Sequence, residues 1–277
     1  MNLLEYFKKA QKEKWAIGQF NFSTDEQLKG IIAAAQNLKS PIIIGTSEGE
    51  SRFLGLKQAV ALVKSFREET DFPVFLNLDH GKNLDYIKEA INLGYDCVHF
   101  DGSELSLSDN IELTKEIVKA ASKKGVLVEG EIGIIGKGTE VKEENLTCLE
   151  DAKRFVHKTG VNSLAISIGN VHGVYQKMPK IDFERLKKIR TIIEIPLVLH
   201  GGSGTKEKDI KKVIKEGIVK ININTELRMA WKKTLKATIN QSKREEIKPY
   251  KILLPVIKAT QKVVEKKIKL FGSQNKV

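Results

Sequence analysis

Cysteine is scarce in this chain: Cys97 and Cys148 are the two present. They are too few for a disulfide framework, and neither stands in a CxxC arrangement. Long apolar runs are missing as well. No stretch approaches the roughly 20 residues needed to span a bilayer. The opening MNLLEYFKKAQKEKW reads as an amphipathic helix and lacks the apolar h-region of a signal peptide, so the expected home is the cytoplasm. No basic run is interleaved with aromatics and no nucleic-acid motif is visible, so neither nucleic acid nor membrane is expected as a partner. GxGxxG is absent after the first apolar strand, which weakens a dinucleotide-binding sheet. No linker, repeat or low-complexity segment marks a second domain, and residues 1–277 are expected to form a single one.

What is present is ordinary in bulk and specific in detail. Apolar residues make up 41% and charged residues 30%, as in a globular protein with a sizeable core. Net charge is +12. The lysines are scattered through predicted helices, denser from Lys232 to Lys269, and read as a solvated surface that would still help draw in a phosphorylated substrate.

The stretch Asn77-Leu78-Asp79-His80-Gly81 ends an apolar, β-prone run, and Asn83 to Leu93 then reads as a helix. The same alternation recurs through eight rounds. The strands are Trp15–Asn21, Pro41–Ser47, Val74–His80, Cys97–Gly102, Val126–Ile132, Ser163–Gly169, Ile195–His200 and Ile218–Asn224. Thr24 is read as the cap of the first crossover helix and Ser108 as the cap of the fourth; after Ser47 a loop is expected before a helix from about Gly55. Short strands without polar alternation are those buried on both faces. Eight such units match a (β/α)8 TIM barrel, whose usual length is about 250 residues, with an N-terminal helix and a C-terminal helical extension at Leu253–Leu270. That extension should pack on the barrel or on a partner chain.

Active sites of this barrel gather at the C-terminal ends of the strands. The polar residues there are Asn21, Ser47, Asp79, His80, Asp101, Glu129, Glu131, Asn170, His172, His200, Ser203, Asn222, Asn224 and Thr225. Three of only five histidines fall at this rim: His80, His172 and His200. His99 lies inside a strand and His157 in a helix, and both read as structural. Three converging imidazoles without cysteine suit a zinc, cobalt or iron site with an open coordination position. Asp79, beside His80, is then a candidate general acid/base. The alternative is a helix cap and unrelated loop histidines. After the seventh strand, His200-Gly201-Gly202-Ser203-Gly204 opens a helix, and Asn222-Ile223-Asn224-Thr225-Glu226 opens one after the eighth. Glycine lets backbone approach an anion, helix N-termini supply unpaired N–H groups, and these two loops are the usual phosphate site of the fold.

Taken in order, LDHG, VEGEIG, GNVHG, IPLVLHGGSG and KININTE resemble the class II, metal-dependent ketose-bisphosphate aldolases, over nearly the whole chain down to EKKIKLFGS. The resemblance implies a zinc enzyme that cleaves a ketose 1,6-bisphosphate, fructose first and tagatose next, to dihydroxyacetone phosphate and glyceraldehyde 3-phosphate. It implies His80, His172 and His200 as metal ligands, Asp79 as the acid/base, and Asp101 and Glu131 at a second, noncatalytic metal position. It implies Gly173, Gly201, Gly202, Ser203, Asn222, Asn224 and Thr225 around the dihydroxyacetone-phosphate half. Asn21 and Ser47 are implied near that pocket, with a monovalent cation, sodium or potassium, bridging it. A homodimer or homotetramer and a sugar-phosphate ligand are also implied.

The chain departs from the family pattern in three places. Thr139 stands where a mobile loop glutamate is expected, leaving Glu140, one place on, as its candidate substitute. Gln176 replaces a lysine, with Lys177 next to it, and Tyr250 stands where an arginine would hold the far phosphate. These departures keep open an aldolase with a different, non-phosphorylated aldehyde, or a noncatalytic sugar-phosphate-binding barrel. Metal-dependent hydrolysis is the rival enzyme class, and the phosphate motifs are surplus to it.

Overall fold

The computed structural model describes every residue except 138–141, 174–179 and 242–245. Eight parallel strands close on themselves: β1 (Ile17–Asn21), β2 (Ile42–Ser47), β3 (Val74–Gly81), β4 (Cys97–Phe100), β5 (Leu127–Ile132), β6 (Ser163–Ile166), β7 (Leu197–Leu199) and β8 (Ile218–Ile223). Neighbours in sequence are neighbours in the barrel, and β1 seals against β8 with Ile17 opposite Lys220 and Gln19 opposite Asn222. A helix follows every strand, so the alternation read from the sequence is the (β/α)8 barrel it implies.

Side chains alternate along each strand, one set toward the helices and one toward the barrel axis. Phe20, Ile44, Leu76, Val98, Val128, Leu164, Leu199 and Ile221 join the apolar core shared with the helices. A second apolar cluster joins Ile17, Ile43, Cys97 and Val219 of the strands to Leu3, Tyr6, Phe7 and Trp15. Helix Leu3–Glu13, started by an Asn2–Glu5 capping box, therefore plugs the lower mouth. Other strand positions are polar: Gln19, Asn77, His99, Glu129 and Lys220 are all at most 1% exposed. Buried polar groups need partners. Asn77 Nδ2 donates to Gln19 Oε1 at 2.8 Å, and Gln19 Nε2 donates to Asn21 Oδ1 at 3.1 Å.

The C-terminal helix runs Pro249–Phe271 and packs on the barrel's own helices Asp25–Asn37 and Thr225–Gln241. Gly30 permits that approach, since a Cβ there would stand 2.7 Å from the Ile257 carbonyl oxygen.

Two local expectations are corrected, and a third holds in position but without its side-chain cap bond. The segment after Ser47 is a helix, Glu48–Leu54, and not a loop: Ser47 Oγ accepts from the Glu50 amide and the Glu50 carboxylate accepts in return from the Ser47 amide. The helix after β4 starts at Leu107 with Ser106, not Ser108, as its cap, because Ser106 Oγ accepts from the Asp109 amide at 3.1 Å. Thr24 occupies its cap position, but its hydroxyl caps no amide and donates to Gln27 Oε1 at 3.2 Å.

Candidate metal centre and active site

The upper rim is assembled from strand ends. His80 is the penultimate residue of β3 and has a left-handed φ of 50°, where the pairing register to β4 shifts. Such a φ is uncommon outside glycine and marks a position held by its surroundings. One holding contact is the His80 amide, which donates to His99 Nδ1 at 3.1 Å. The imidazole is fixed from both sides. Its Nδ1 lies 2.9 Å from Asp101 Oδ2, and Asp101 is steadied by the Ser103 hydroxyl at 2.7 Å. Its Nε2 faces His200 Nδ1 at 2.9 Å. The other His200 nitrogen, Nε2, lies 2.7 Å from Glu129 Oε1. The His172 ring lies alongside, its centroid 4.9 Å from that of His80 and 6.0 Å from that of His200. Its Nε2 is buried and accepts and donates nothing among the described residues.

A cation fits this arrangement. Carboxylates accept hydrogen bonds, so Asp101 fixes the His80 proton on Nδ1 and Glu129 fixes the His200 proton on Nε2. The two remaining nitrogens then face each other at 2.9 Å, with Asn222 Nδ2 3.3 Å from the His200 nitrogen. The His172 nitrogen is buried without a hydrogen-bond partner among the described residues, but it stands outside the compact group of ligand atoms that Asp79, His80, His99 and His200 form. Nitrogens on a tetrahedral zinc stand about 3.3 Å apart, and a carboxylate on the far nitrogen of each ligand is the usual support. Without an ion the site holds a proton instead. Burial opposes charge on His80, but Asp79, Asp101 and Glu131 outweigh it and hold its pKa up at about 9. Burial, helped by the charge on His80, pushes His172 down to about 4 and drives His200 well below its ordinary value.

His99 also lies within 4.8 Å of Asp79, His80 and His200, counted between possible ligand atoms. Its Nδ1 already accepts from the His80 amide and its Nε2 lies 3.2 Å from Glu131. His157 sits in the last turn of helix Leu149–Thr159, away from the rim. Asp101, Glu131 and His80 form a second compact group. Burial raises the Glu131 carboxyl, against the lowering contact with His99.

Asp79 is buried beside the histidines and held at both oxygens. Asn21 Nδ2 donates to Oδ2 at 2.9 Å and Asn222 Nδ2 to Oδ1 at 3.0 Å. Burial alone would raise its pKa; positive charge at His80 and Lys220 outweighs that and holds the carboxyl well below the usual range. The group is an ionised acceptor at the edge of an open cavity of about 460 Å³.

That cavity brings together most of the residues predicted to contact substrate: Ser47, Gly173, Gly201, Ser203, Asn222, Asn224 and Thr225, with Asp79, His80, Asp101, Glu131 and His172 on its wall. The predicted metal ligand His200 is fully buried and not on its wall, and two residues predicted to contact substrate also stand apart from it. Asn21 lies beneath, bridging Asp79 and Glu50, and Gly202 is packed against Ile221, Ile223 and the Asn222 carbonyl. Both therefore shape the pocket from behind. Glu140, Gln176 and Lys177 lie outside the described residues. Tyr250 is 65% exposed in the first turn of its helix.

Sequence reasoning missed Glu50 and Arg228 and gave Glu129 and Lys220 no role. Buried Glu50 accepts from Asn21, Asn224 and Arg228, the last two at 3.0 and 2.6 Å. Its signal was the Ser47-x-x-Glu50 capping pattern at a strand end. The signal for Lys220 was a lysine inside the apolar run IVKINI, two residues from Asn222 and so on the same strand face.

A sequence model described as fructose-bisphosphate aldolase class-II matches residues 1–276. The chain belongs to the class II fructose-bisphosphate aldolase family. It is 38% identical over 273 residues to a 6-phospho-5-dehydro-2-deoxy-D-gluconate aldolase of Shouchella clausii, covering 96% of this chain and 92% of that one. It is 36% identical over 282 residues to a fructose-bisphosphate aldolase of Geobacillus stearothermophilus, covering 100% and 98%. The crystal structure of the YdjI aldolase from Escherichia coli K12 superposes with a TM-score of 0.88 at 33% identity, covering 99% and 98%. Class II aldolases are lyases and generally metal-dependent, which agrees with the histidine group found here. These relatives share the aldolase name and differ in the substrates named. No helix among the described residues is long and apolar enough to cross a membrane.

Proposed function

We propose that this class II aldolase catalyses the reversible cleavage of a ketose 1,6-bisphosphate to dihydroxyacetone phosphate and glyceraldehyde 3-phosphate. Fructose 1,6-bisphosphate is the first candidate and tagatose 1,6-bisphosphate the second. The observation that carries the reading is His80 Nε2 facing His200 Nδ1 at 2.9 Å, with His80, the buried His172 nitrogen and Asp79 on the same cavity wall as the HGGSG and NINT loops. His80, His172 and His200 would hold the ion, zinc first, with cobalt or iron as alternatives. When bound, it supplies a Lewis acid that polarises the substrate oxygens and replaces a Schiff-base lysine as electron sink. Lys220, whose charge acts on Asp79 and His200, is buried in a pair with Glu129 and does not line the cavity, in keeping with that.

Asp79 exchanges the hydroxyl proton during carbon–carbon cleavage, and Asn21 and Asn222 aim its two oxygens. Ser203, Asn224, Thr225, Gly173 and Gly201 surround the phosphate of the donor half, with sodium or potassium completing that pocket. Asp101 and Glu131 are the noncatalytic metal position. Glu140 remains the candidate for the donor-carbon proton. In this reading the chain is a single domain, works in the cytoplasm as a homodimer or homotetramer, and engages neither nucleic acid nor membrane. Exposed Phe53, Ile247, Tyr250 and Leu254 support a partner copy.

One observation favours a second reading, an aldolase with a different aldehyde. Tyr250 supplies no bidentate charge for a far phosphate. Of the cationic residues on the cavity wall, Lys82 is paired with Glu104 and Arg228 with Glu50. The deciding experiment is proton exchange of dihydroxyacetone phosphate in heavy water, followed by NMR on metal-loaded and chelator-stripped protein. Metal-dependent exchange is expected and leaves only the aldehyde to be screened. Absence of exchange in protein that holds metal and binds the ligand would make it a binding barrel.

A further inference from the structure

Lys220 and Glu129 form an ion pair in the middle of the barrel, Nζ to Oε2 at 2.6 Å, at 1% and 0% exposure. Burying two charges is expensive, and well-packed apolar side chains of similar volume stabilise a fold as well or better. Stability alone therefore gives no reason for a lysine on β8 facing a glutamate on β5. The reason lies at the other carboxylate oxygen, Oε1, which stands 2.7 Å from His200 Nε2.

We propose that the Lys220–Glu129 pair positions His200 as a metal ligand, by fixing its proton on Nε2 and leaving the Nδ1 lone pair turned toward His80. The proposal rests on the reading that these three histidines hold the ion. Lysine only donates, so it claims Glu129 Oε2 as an acceptor and tethers the carboxylate in one orientation. Oε1 is then left to accept from His200. The ring carries one proton when neutral, so a proton fixed on Nε2 bares Nδ1. Asp101 does the same for His80 through the opposite nitrogen, Nδ1, and is tethered by Ser103 rather than by a charge. The two ligands thus arrive in complementary tautomers, each set by a carboxylate behind it. Glu129 differs from Asp101 in being fully buried, beyond the reach of water, and this is why its tether is an ammonium group. Neither Lys220 nor Glu129 lines the cavity, so both are positioning residues.

The test is cobalt binding by chelator competition, with the visible absorption spectrum of the bound ion and the melting temperature of the metal-free protein. Lys220→Met keeps the length of the side chain and removes the tether. The expected result is about 10–100-fold weaker cobalt affinity together with a changed cobalt spectrum. A merely structural role would move the melting temperature and leave affinity and spectrum as in the parent. Should Lys220→Met fail to fold, Lys220→Met/Glu129→Met replaces the whole pair by packed apolar groups and is expected to show the same loss and spectral change. Parental affinity and spectrum in whichever variant folds overturn the proposal. If the parent protein, or His172→Ala compared with it, shows no histidine-dependent cobalt binding, the metal-centre reading fails and the proposal with it.

Discussion

His80 Nε2 faces His200 Nδ1 at 2.9 Å while a carboxylate holds the far nitrogen of each ring. Something positive must lie between them, and in metal-free protein it is the proton on His80, whose pKa is held up at about 9. His172, at about 4, and His200, well below its ordinary value, are already neutral at about pH 7.5. A ligand must present a lone pair, so metal entry displaces the His80 proton. Titration with zinc at about pH 7.5 in a weakly buffered indicator dye should release about one proton per ion bound. No release would mean that His80 is not a ligand.

The same groups set the acid limit of the metal-free fold. His172 is neutral when folded, with its pKa lowered from 6.5 to about 4, because burial and the charge on His80 oppose protonation. Lowering means that the unfolded chain binds the proton first. The contribution is therefore complete above pH 6.5 and lost as pH falls through 4, and a shift of this size is on the order of 3 kcal/mol. Urea unfolding at intervals from about pH 7 to about pH 4 should show that decline. His172→Gln should flatten it, and an equal slope in both proteins would assign the acid limit elsewhere.

Asp79→Asn keeps the shape and removes the base. The carboxamide introduced there would still be held by Asn21 or Asn222, and the three histidines are untouched. Turnover should fall about 10²–10⁴-fold, the range for loss of a general base, with metal content by atomic absorption unchanged. Retained turnover would move the acid/base role away from this residue.

Much of this was legible in the sequence, and for a physical reason. Strands buried on both faces are apolar runs, so their ends are sharp and a polar residue there stands out. Asp79, His80, His200 and Asn222 were readable on that ground, and the structure does gather them. What was hidden was support coming through the barrel wall. Lys220 meets Glu129 from the opposite side of the barrel, and Asn21 meets Glu50 through a short helix read as a loop. Neither pairing has a local spacing to betray it. Asn21 was read as touching substrate because its strand end is correct, but which of two layers it occupies depends on barrel stagger, which no single strand reveals. The cap at Ser106 was misplaced by two residues because Ser106 and Ser108 both fit the helix's apolar phase; only Ser106 has an aspartate three residues on.

Glu50 gathers bonds from Asn21, Asn224, Arg228 and the Ser47 amide in a buried pocket. Removing it leaves several donors without an acceptor. Glu50→Ala should lower stability in urea by about 1–3 kcal/mol and raise KM for the proposed sugar-phosphate substrate as Asn224 loses its anchor. Unchanged stability would show that water replaces the carboxylate without cost.

Gly201 lies where the HGGSG loop passes against the main chain of Val171, next to His172. Its φ is 66°, and a Cβ there would stand 2.1 Å from the carbonyl oxygen of Val171. Alanine thus meets two penalties: the left-handed backbone, of order 1–2 kcal/mol, and a clash with main chain that cannot rotate away. Relief requires Val171 to retreat, and His172 follows it. Gly160 separates the two effects. Its φ of 71° is similar, but it caps a helix with nothing within 4 Å of the added carbon. Gly160→Ala should cost only the backbone term and leave metal binding as it was. Gly201→Ala should melt lower than Gly160→Ala and lose cobalt affinity besides. Equal melting temperatures with equal cobalt affinity would show that Val171 yields freely and that the loop does not hold His172 in place.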